Sequence, residues 1–363
     1  MSRTAPCSFF RQACETHNPG LSFNPVMIDF MKRDHLLGIL PKDIPFIRRL
    51  IQTSFLLFCL WIGYRFLLFF NWATGISDRF VPRPPAIEAF LPISALVGLR
   101  QFFLTFHYDT VHPAGLTILL ANIFIAFFWR KGFCGWICPV GTISNMAETI
   151  GKKAGILLSL PAWIDIPLLG IKYILMLFFL YFIFFKMDAK EVQSFIISPY
   201  NIGADAEMLH FFLSPSYISL GVIILLITFS FFIRNLWCRY LCPYGALLGI
   251  LALASPIQIR RDKEICTNCG RCDRICPSSI KITKRQTIRT VECIGCMECV
   301  STCPVKGCLA PSFPPKKKAP LLLIPLGTIA TLLLFWLVAK SSGHWHSHIP
   351  PEIYRRIYQI LRL

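Results

Sequence analysis

Acidic residues are scarce in this sequence of 363 residues: 19 Asp and Glu stand against 37 Lys and Arg, and charged residues make up only 15% of the chain. The chain also lacks the glycine-rich phosphate loop of nucleotide-binding proteins, the glycine fingerprint of dinucleotide-binding folds and the C-x-x-C-H site of covalently attached haem. Nucleotide, flavin and covalent haem are therefore not indicated. The net charge of +18 would suggest nucleic-acid binding in a soluble protein, but 55% of the residues are hydrophobic, which favours a membrane protein with no nucleic-acid partner.

The hydrophobic residues are gathered in long runs, which predict an α-helical polytopic membrane protein. Five runs are long enough, or nearly so, to cross the hydrocarbon core of a bilayer, about 30 Å thick, as transmembrane helices. These runs are Leu50–Phe70, Pro113–Trp129, Ile166–Phe185, Tyr217–Ile233 and Leu321–Val338. Residues 86–106 are also apolar, but Pro92 and Arg100 interrupt them, so a re-entrant or interfacial hairpin is predicted there instead of a full span.

The basic residues are distributed unevenly, and this predicts the orientation. Lys and Arg concentrate in residues 1–49, 130–165 and 234–319. By the positive-inside rule these segments are predicted to lie in the cytoplasm. The predicted organisation is a cytoplasmic N-terminal segment (1–49), a membrane domain (50–255), a cytoplasmic cysteine-rich domain (256–311), a linker with the final span (312–339) and a periplasmic tail (340–363).

Sixteen cysteines are many for this chain, and most fall in the segments predicted to be cytoplasmic, where reducing conditions favour metal ligation over disulfides. Residues 266–277 and 293–304 both fit C-x2-C-x2-C-x3-C-P, the run that holds 4Fe-4S clusters in two-cluster ferredoxins. In this pattern the fourth cysteine of each run crosses to the other cluster. The predicted iron ligands are Cys266, Cys269, Cys272 and Cys303 for cluster 1, and Cys276, Cys293, Cys296 and Cys299 for cluster 2.

Zinc is the alternative for such C-x-x-C pairs, but a zinc ion takes four ligands and has little use for two identical runs of four. The two runs therefore predict a small α+β ferredoxin domain, inserted between spans, that holds two 4Fe-4S clusters. Cys308 has no place in the pattern and is predicted to be a free buried thiol.

A second kind of cysteine pair occurs twice, each time after an apolar run. The sequences FCGWICPVG (133–141) and WCRYLCPYG (237–245) align at an offset of 104 residues, which indicates an internal duplication. The C-x3-C spacing predicts both thiols on one face of an α-helix, and the following proline predicts that the second cysteine lies in the turn that ends the span. We refer to these four cysteines as the quartet: Cys134, Cys138, Cys238 and Cys242.

The chemistry of the quartet is left open by the sequence. Four convergent thiols could bind a further metal or a third cluster, form reversible disulfides, or pack as small hydrophobic residues. Two such pairs in register beside a two-cluster domain favour a functional site over simple packing.

Two weaker features are also candidates for function. His107 and His112 follow the interrupted apolar segment and could form part of a quinol site, although an interfacial polar cluster would have the same sequence. Lys172 lies inside the third apolar run, where a charge is a functional hypothesis by default; extension of its amine to the membrane surface is the alternative, and the one that its position favours. The sequence identifies no catalytic residue.

The segments FCGWICPVGT and WCRYLCPYGA, followed by the eight-cysteine segment, resemble the membrane polyferredoxins related to NapH and MauN. They also resemble the C-terminal half of NosR and, more distantly, CcoG. The resemblance covers most of residues 50–310 and implies an inner-membrane electron-transfer protein with two cytoplasmic cubane clusters.

Two kinds of function fit these observations. In the first, the protein passes electrons between the cytoplasmic clusters and a membrane quinone or a periplasmic redox partner, as a quinol-dependent oxidoreductase subunit would. In the second, it assists the assembly of a respiratory metalloenzyme or regulates it, as the CcoG and NosR resemblances suggest. Membrane lipid and a redox protein are expected partners in both.

Overall fold

The computed structural model describes residues 41–158, 160–315 and 317–361. The predicted N-terminal segment, 1–49, lies outside these residues except for 41–49. The described part is mostly helical, with one small β-sheet. Its α-helices, in chain order, are α1 (Ile44–Ala73), α2 (Pro92–Thr105), α3 (Pro113–Trp129), α4 (Pro139–Lys153), α5 (Ala162–Tyr181), α6 (Ala189–Ile196), α7 (Pro199–Ile202), α8 (Ala204–Leu213), α9 (Tyr217–Phe232), α10 (Pro243–Leu251), α11 (Arg271–Ile275), α12 (Glu298–Ser301), α13 (Leu323–Ser341) and α14 (Pro351–Ile360).

All five apolar runs are helical, and some of the helices are long enough to cross a membrane. Among the described residues, three helical stretches meet this test by length and composition: Pro41–Ala73, Ala162–Lys186 and Leu323–Ser341. Helices α8 and α9 meet at 79° and would add a fourth if the pair forms one broken span. Helix α3 is apolar but has only 17 residues. The structure therefore has three to four candidate spans, and the count of five remains a prediction.

The interrupted apolar segment folds as a 3-10 turn, Pro85–Phe90, followed by α2. Residues 94–99 of α2 are buried inside the protein, whereas Phe103 and Phe106 near its C-terminal end are exposed. The helix ends at Phe106, whose φ of 56° is left-handed and whose amide still bonds to the Phe102 carbonyl. The segment is thus packed on one side, as either a re-entrant or an interfacial hairpin would be.

The ferredoxin-like region is built on an antiparallel sheet in the order β2-β1-β3-β4. Strand β1 precedes the first cysteine run and β3 follows the second, so their pairing closes the region around both runs. Ile259, in the centre of β1, lies opposite both Ile288 and Pro311. The strands are β1 (Gln258–Arg261), β2 (Thr287–Ile288), β3 (Leu309–Phe313) and β4 (Lys317–Lys318).

A cluster of buried hydrophobic residues joins α1, α2 and α3 to the C-terminal helix α14. Phe69 of α1 meets the rings of Tyr354 and Tyr358 edge-on, with ring centroids 5.9 and 6.2 Å apart. The Tyr358 hydroxyl donates to Asp205 Oδ1 at 3.0 Å. Helix α14 is therefore an integral part of the fold.

Candidate metal centres

The predicted ligands of cluster 2 lie together. Cys276 of the first run and Cys293, Cys296 and Cys299 of the second line one small cavity between the runs and the sheet. Apolar side chains, Ile259 among them, form the rest of its wall. Cys276 is 17 residues or more from the other three cysteines in sequence. The fourth cysteine of the first run therefore crosses to the three cysteines of the second run, as the pattern predicts. The cavity gathers the four thiols that the spacing assigns to one cluster.

Both runs have the same backbone conformation around their second cysteine. Asn268 and Gly270 flank Cys269 with φ of 51° and 68°, and Gly295 and Met297 flank Cys296 with φ of 62° and 63°. Alternating right- and left-handed residues turn successive N–H groups towards one point and form concavities that suit anions, iron–sulfur clusters among them. A non-glycine residue is strained in this conformation. The repeat of this geometry in both runs fits two clusters of the same kind.

The predicted ligands of cluster 1 are less enclosed. Cys272 is buried and lies near Cys303, whereas Cys269 is exposed. Cys308 is buried beside this group: its thiol lies 3.6 Å from the Asp262 carbonyl and contacts the thiols of Cys266 and Cys303. The prediction that Cys308 is buried is confirmed, and its S–H donates to the Asp262 carbonyl next to the predicted ligands of cluster 1.

Cys308→Ala is expected to lower the reduction potential of the cluster that Cys266 and Cys303 would hold. Hydrogen bonds to cluster sulfurs help to set such potentials. In the proposed clustered state the Cys308 S–H turns from the Asp262 carbonyl to these sulfurs, so the substitution removes one donor. A redox titration followed by electron paramagnetic resonance measures the shift, with Cys59→Ala, in helix α1, as the control. An unchanged potential would leave Cys308 as a packing residue, and loss of cluster iron would make it a ligand.

The quartet lies in two π-helical turns. Phe133–Ile137 and Trp237–Leu241 are both π-helical, and the amides of Cys138 and Cys242 donate to the carbonyls of Phe133 and Trp237 at 3.0 and 2.9 Å. The prediction of an ordinary α-helical face is wrong in this detail, because the bond spans five residues instead of four. Such π-turns are rare and are frequent at functional sites.

Proline places the second cysteine of each pair at the start of a new helix. Pro139 and Pro243 begin α4 and α10, where the missing proline N–H has no intrahelical role. Cys138 and Cys242 are the N-cap residues, with ψ of 120° and 103°, which confirms that they leave the helical conformation. The Cys242 sulfur accepts from the Gly245 amide at 3.2 Å. Helix N-termini favour negative charge and therefore suit thiolates.

The four quartet thiols line one cavity of about 1070 Å³. Burial raises the pKa of Cys134, Cys138 and Cys238 to about 12, so that these thiols are neutral unless they bind a cation. Each thiol is close enough to others of the set to affect their ionisation. Among the described residues no three His, Cys, Asp or Glu side chains converge as the ligands of a single metal ion do. The donor set is four cysteines, of which Cys138 and Cys242 cap helix N-termini, and thiolates are ligands of the kind that iron–sulfur centres use.

The cavity also connects the quartet with cluster 2. Pro277 and Ser278, which follow Cys276, line it, as do Glu292 and Ile294 on either side of Cys293. The chain neighbours of two cluster 2 ligands therefore face the same space as the quartet. The predicted ligands of cluster 2 therefore lie close to the quartet.

Each half of the duplication holds one loop of the ferredoxin-like region. In the first half, Arg130 donates to the carbonyls of Ile257 and Thr290, and the Trp136 indole donates to the Gly295 carbonyl at 3.1 Å. Gly135 allows this approach, because a Cβ there would lie 2.4 Å from the Ile294 carbonyl oxygen.

The second half repeats this arrangement at equivalent positions. Arg234, which aligns with Arg130, donates to the carbonyls of Arg274 and Cys276 at 3.1 and 3.4 Å. Asn235 Nδ2 donates to the Pro277 carbonyl at 3.3 Å. The two halves thus hold the two segments that contain the predicted cluster 2 ligands.

Lys172 is fully buried and pairs with the ferredoxin-like region. Its Nζ lies 2.6 Å from Glu292 Oε2, and the Tyr173 hydroxyl donates to Glu292 Oε1 at 2.9 Å. Extension of the amine to the membrane surface, the alternative that its position favoured, is therefore wrong. Burial acts to raise the pKa of Glu292, but Lys131 and Lys172 outweigh it and lower the pKa below its usual value. Positive charge therefore lies next to the quartet, where thiolates would need it.

His107 and His112 do not line the large cavity. His107 is exposed, with Nδ1 2.8 Å from the Thr105 carbonyl oxygen. His112 is fully buried: its Nε2 lies 2.7 Å from the Asn201 carbonyl oxygen and its Nδ1 lies 3.6 Å from Glu88. Burial acts to lower the pKa of His112, but Glu88 outweighs it and raises the pKa. The structure thus separates the two histidines, and their quinol role stays a prediction.

A buried network of charges surrounds His112. Arg83 pairs with Glu88 at 2.7 Å and with Asp205 at 2.6 Å. Burial acts to raise the pKa of Glu88, but Arg83 outweighs it and lowers the pKa. Pairing of this kind is what makes buried charges tolerable. The network joins the 3-10 turn to α8 and, through Tyr358, to α14.

Sequence reasoning missed the contacts between the two regions. The repeat alignment matched Arg130 with Arg234, but nothing in it indicated that both bind backbone carbonyls. Glu292 precedes a predicted cluster ligand, which is the only signal that could have singled it out. Asn122 and Tyr244, which also line the large cavity, carried no signal except that neither has a polar counterpart in the other half.

A mostly helical protein with candidate membrane spans, a ferredoxin-like region and two repeated cysteine units defines a class: the membrane-associated iron–sulfur electron transport proteins. A family model described as a 4Fe-4S binding domain matches residues 111–156 and again 215–262, the two halves of the duplication. One described as a 4Fe-4S dicluster domain matches residues 258–304. No solved structure matches the chain.

Curated relatives agree with the family models. The Escherichia coli (strain K12) protein named "Putative electron transport protein YccM" is 42% identical over 83% of this chain and 84% of its own. The Ferredoxin-type protein NapH of Haemophilus influenzae is 26% identical over 53% of this chain and 68% of its own. The Regulatory protein NosR of Pseudomonas aeruginosa is 29% identical over 58% of this chain and 29% of its own. The chain belongs to the family of membrane-associated 4Fe-4S ferredoxin-type electron transport proteins.

Proposed function

We propose that the protein passes electrons between two cytoplasmic 4Fe-4S clusters and a membrane quinone or a redox protein on the periplasmic side. The observation that carries this proposal is the shared cavity. The residues next to Cys276 and Cys293 line the same space as the quartet, so a one-electron path leads from the ferredoxin-like region into the membrane domain.

In this proposal the eight cysteines of the two runs bind two clusters. Cluster 1 takes Cys266, Cys269, Cys272 and Cys303, and cluster 2 takes Cys276, Cys293, Cys296 and Cys299. The common cavity of the second set and the repeated left-handed turns support the assignment. The quartet binds a third iron–sulfur centre. Two observations support this: the Gly245 amide donates to the Cys242 sulfur, and Lys131 and Lys172 lie nearby.

The proposed topology keeps the predicted organisation. About five helices span a bacterial inner membrane, residues 256–311 form the cytoplasmic domain, and residues 340–363 lie on the periplasmic side. The concentration of Lys and Arg in 130–165 and 234–319 supports this orientation by the positive-inside rule. The docking of both halves of the duplication onto the ferredoxin-like region supports a common depth for the two π-turns.

A second candidate function is assembly or regulation of a respiratory metalloenzyme. The name of the NosR relative, a regulatory protein, favours it. In that role the clusters would reduce a metal or thiols of another protein and would not sustain turnover with a quinol.

Iron and sulfide analysis of the anaerobically purified protein tests the centres. Three cubanes predict about twelve irons per chain, and two predict about eight. A value near eight would contradict an iron–sulfur centre at the quartet, and a value near four would contradict the two-cluster assignment.

Turnover separates the two functions. Stoichiometric exchange of electrons between the reduced clusters and a quinone, or a purified redox protein, supports electron transfer. Loss of a metal centre in another enzyme when this protein is deleted, with no such exchange by the purified protein, would instead support assembly.

A further inference from the structure

The large cavity is mostly apolar but contains one buried polar pair. Asn122 of α3 donates through Nδ2 to the Tyr244 hydroxyl of α10 at 2.9 Å. Asn122 is only 1% exposed, lines the cavity, and its Oδ1 has no hydrogen-bond partner. A buried amide oxygen without a partner is costly, and because Asn122 lines the cavity, a bound molecule that donates to this oxygen would remove that cost.

The pair lies next to the quartet. Tyr244 directly follows Cys242-Pro243 and lines the same cavity as Cys134, Cys138 and Cys242. Because Asn122 donates to the tyrosine oxygen, the tyrosine hydrogen is free to donate to another group. The pair therefore offers one acceptor and one donor beside the proposed third centre.

The duplication does not require these residues. At the offset of 104, Asn122 aligns with Leu226 and Tyr244 aligns with Val140. The polar residues thus occur once, from opposite halves, in a unit whose cysteines occur twice. A structural role common to both halves would not account for the pair.

The walls of the cavity come from the candidate spans. Phe55 and Phe58 of α1, Phe179 of α5, and Leu332 and Trp336 of α13 line it. Its volume of about 1070 Å³ matches the upper range of small-molecule sites, which run to roughly 1,000 Å³ and combine apolar walls with a few polar groups. Such walls suit an isoprenoid chain that enters from the lipid.

We propose that Asn122 and Tyr244 bind the ring oxygen of a membrane quinone or quinol. The Tyr244 hydroxyl donates to a quinone carbonyl, and Asn122 Oδ1 accepts from a quinol hydroxyl, so the pair serves both oxidation states. The proposal rests on the proposed function, in which the quartet is the redox centre beside the ring. It assigns the quinone to this pair and not to His107 or His112, neither of which lines the cavity.

Decylubiquinone binding to the full-length protein in detergent tests the proposal. Quinones quench tryptophan fluorescence, and Trp237, Trp336 and Trp345 line the cavity. Asn122→Leu and Tyr244→Phe are each expected to raise the Kd about tenfold, the effect of one lost hydrogen bond.

Tyr240→Phe is the matched control, because it removes the same hydroxyl four residues earlier in the chain. The Tyr240 hydroxyl donates to Asp165, and Tyr240 does not line the cavity. Its Kd should equal that of the wild type. Iron content measured on every sample identifies a variant that fails to fold.

The outcomes separate this proposal from the proposed function. An equal Kd for wild type, N122L and Y244F at full iron content would overturn the site, and would leave the cavity to lipid chains. No quenching in an iron-loaded wild type that still reduces a protein partner would overturn it too, while electron transfer stands. Absence of iron from the wild type would instead contradict the proposed function.

Discussion

Cys242→Ala is expected to stop electron transfer between the clusters and any acceptor in the membrane. The Cys242 sulfur caps helix α10 and lies in the cavity that residues next to the cluster 2 ligands also line. Loss of a direct ligand should reduce the rate by more than about 100-fold, the upper end of the loss from changing an outer partner of a metal ligand. The eight cysteines of the two runs should keep their clusters, because none of them changes.

Stopped-flow oxidation of the dithionite-reduced protein by a quinone measures this effect, with paramagnetic spectra of the same samples. Cys59→Ala is the matched control: it also removes a thiol that lines the cavity, but one outside the quartet. A C242A protein that transfers electrons at the wild-type rate would show that the quartet only packs. Loss of all cluster signals would show instead that the variant is misfolded.

Cys276→Ala is expected to remove cluster 2 and leave cluster 1. Cys276 belongs to the first run by sequence, yet its thiol lines the cavity of Cys293, Cys296 and Cys299. The iron content should therefore fall by about four per chain, and the paramagnetic signal that is lost should be that of the cluster beside the quartet. Electron transfer to the membrane should stop as well, since the path passes through this cluster.

Two variants complete the Cys276 test. Cys303→Ala should remove the other cluster, and Cys308→Ala should keep the full iron content, because Cys308 contacts the ligands without belonging to the pattern. Double variants settle the crossing: C276A combined with C293A should lose no more iron than C276A alone. Loss of about eight irons in that double variant would mean that each run binds its own cluster.

The apolar runs predicted the helices well because the signal is local. The run Pro113–Trp129 coincides with α3, because a proline marks its start and the residues that follow are almost all apolar. Helix α8 and its 79° bend against α9 were not predicted, because Asp205 and Glu207 make α8 look like a loop. Asp205 is in fact buried against Arg83, 122 residues away.

The cysteine spacing predicted which thiols lie around a common cavity, in the quartet and in the cluster 2 set, but not the backbone that carries them. Asn268 and Met297 have a positive φ although neither is a glycine, so the sequence does not indicate their left-handed conformation. The C-x3-C spacing suits an α-helix as well as a π-turn, so the sequence could not choose between them. The pairing of Lys172 with Glu292 joins residues 120 positions apart, and no local pattern specifies such a contact.

The attachment of the ferredoxin-like region has a consequence for how freely its sequence can change. Arg130, Arg234, Lys131, Asn235 and Trp136 all donate to backbone carbonyls, which every residue type possesses. Except at Glu292, whose side chain pairs with Lys172, the loops around the cluster ligands can therefore accumulate side-chain substitutions and keep their hydrogen bonds to the membrane domain. The constraint falls instead on the two halves of the duplication, at the donor side chains and at Gly135. Among relatives, the sequences of these loops should diverge faster than the sequences in and around the π-turns that bind them.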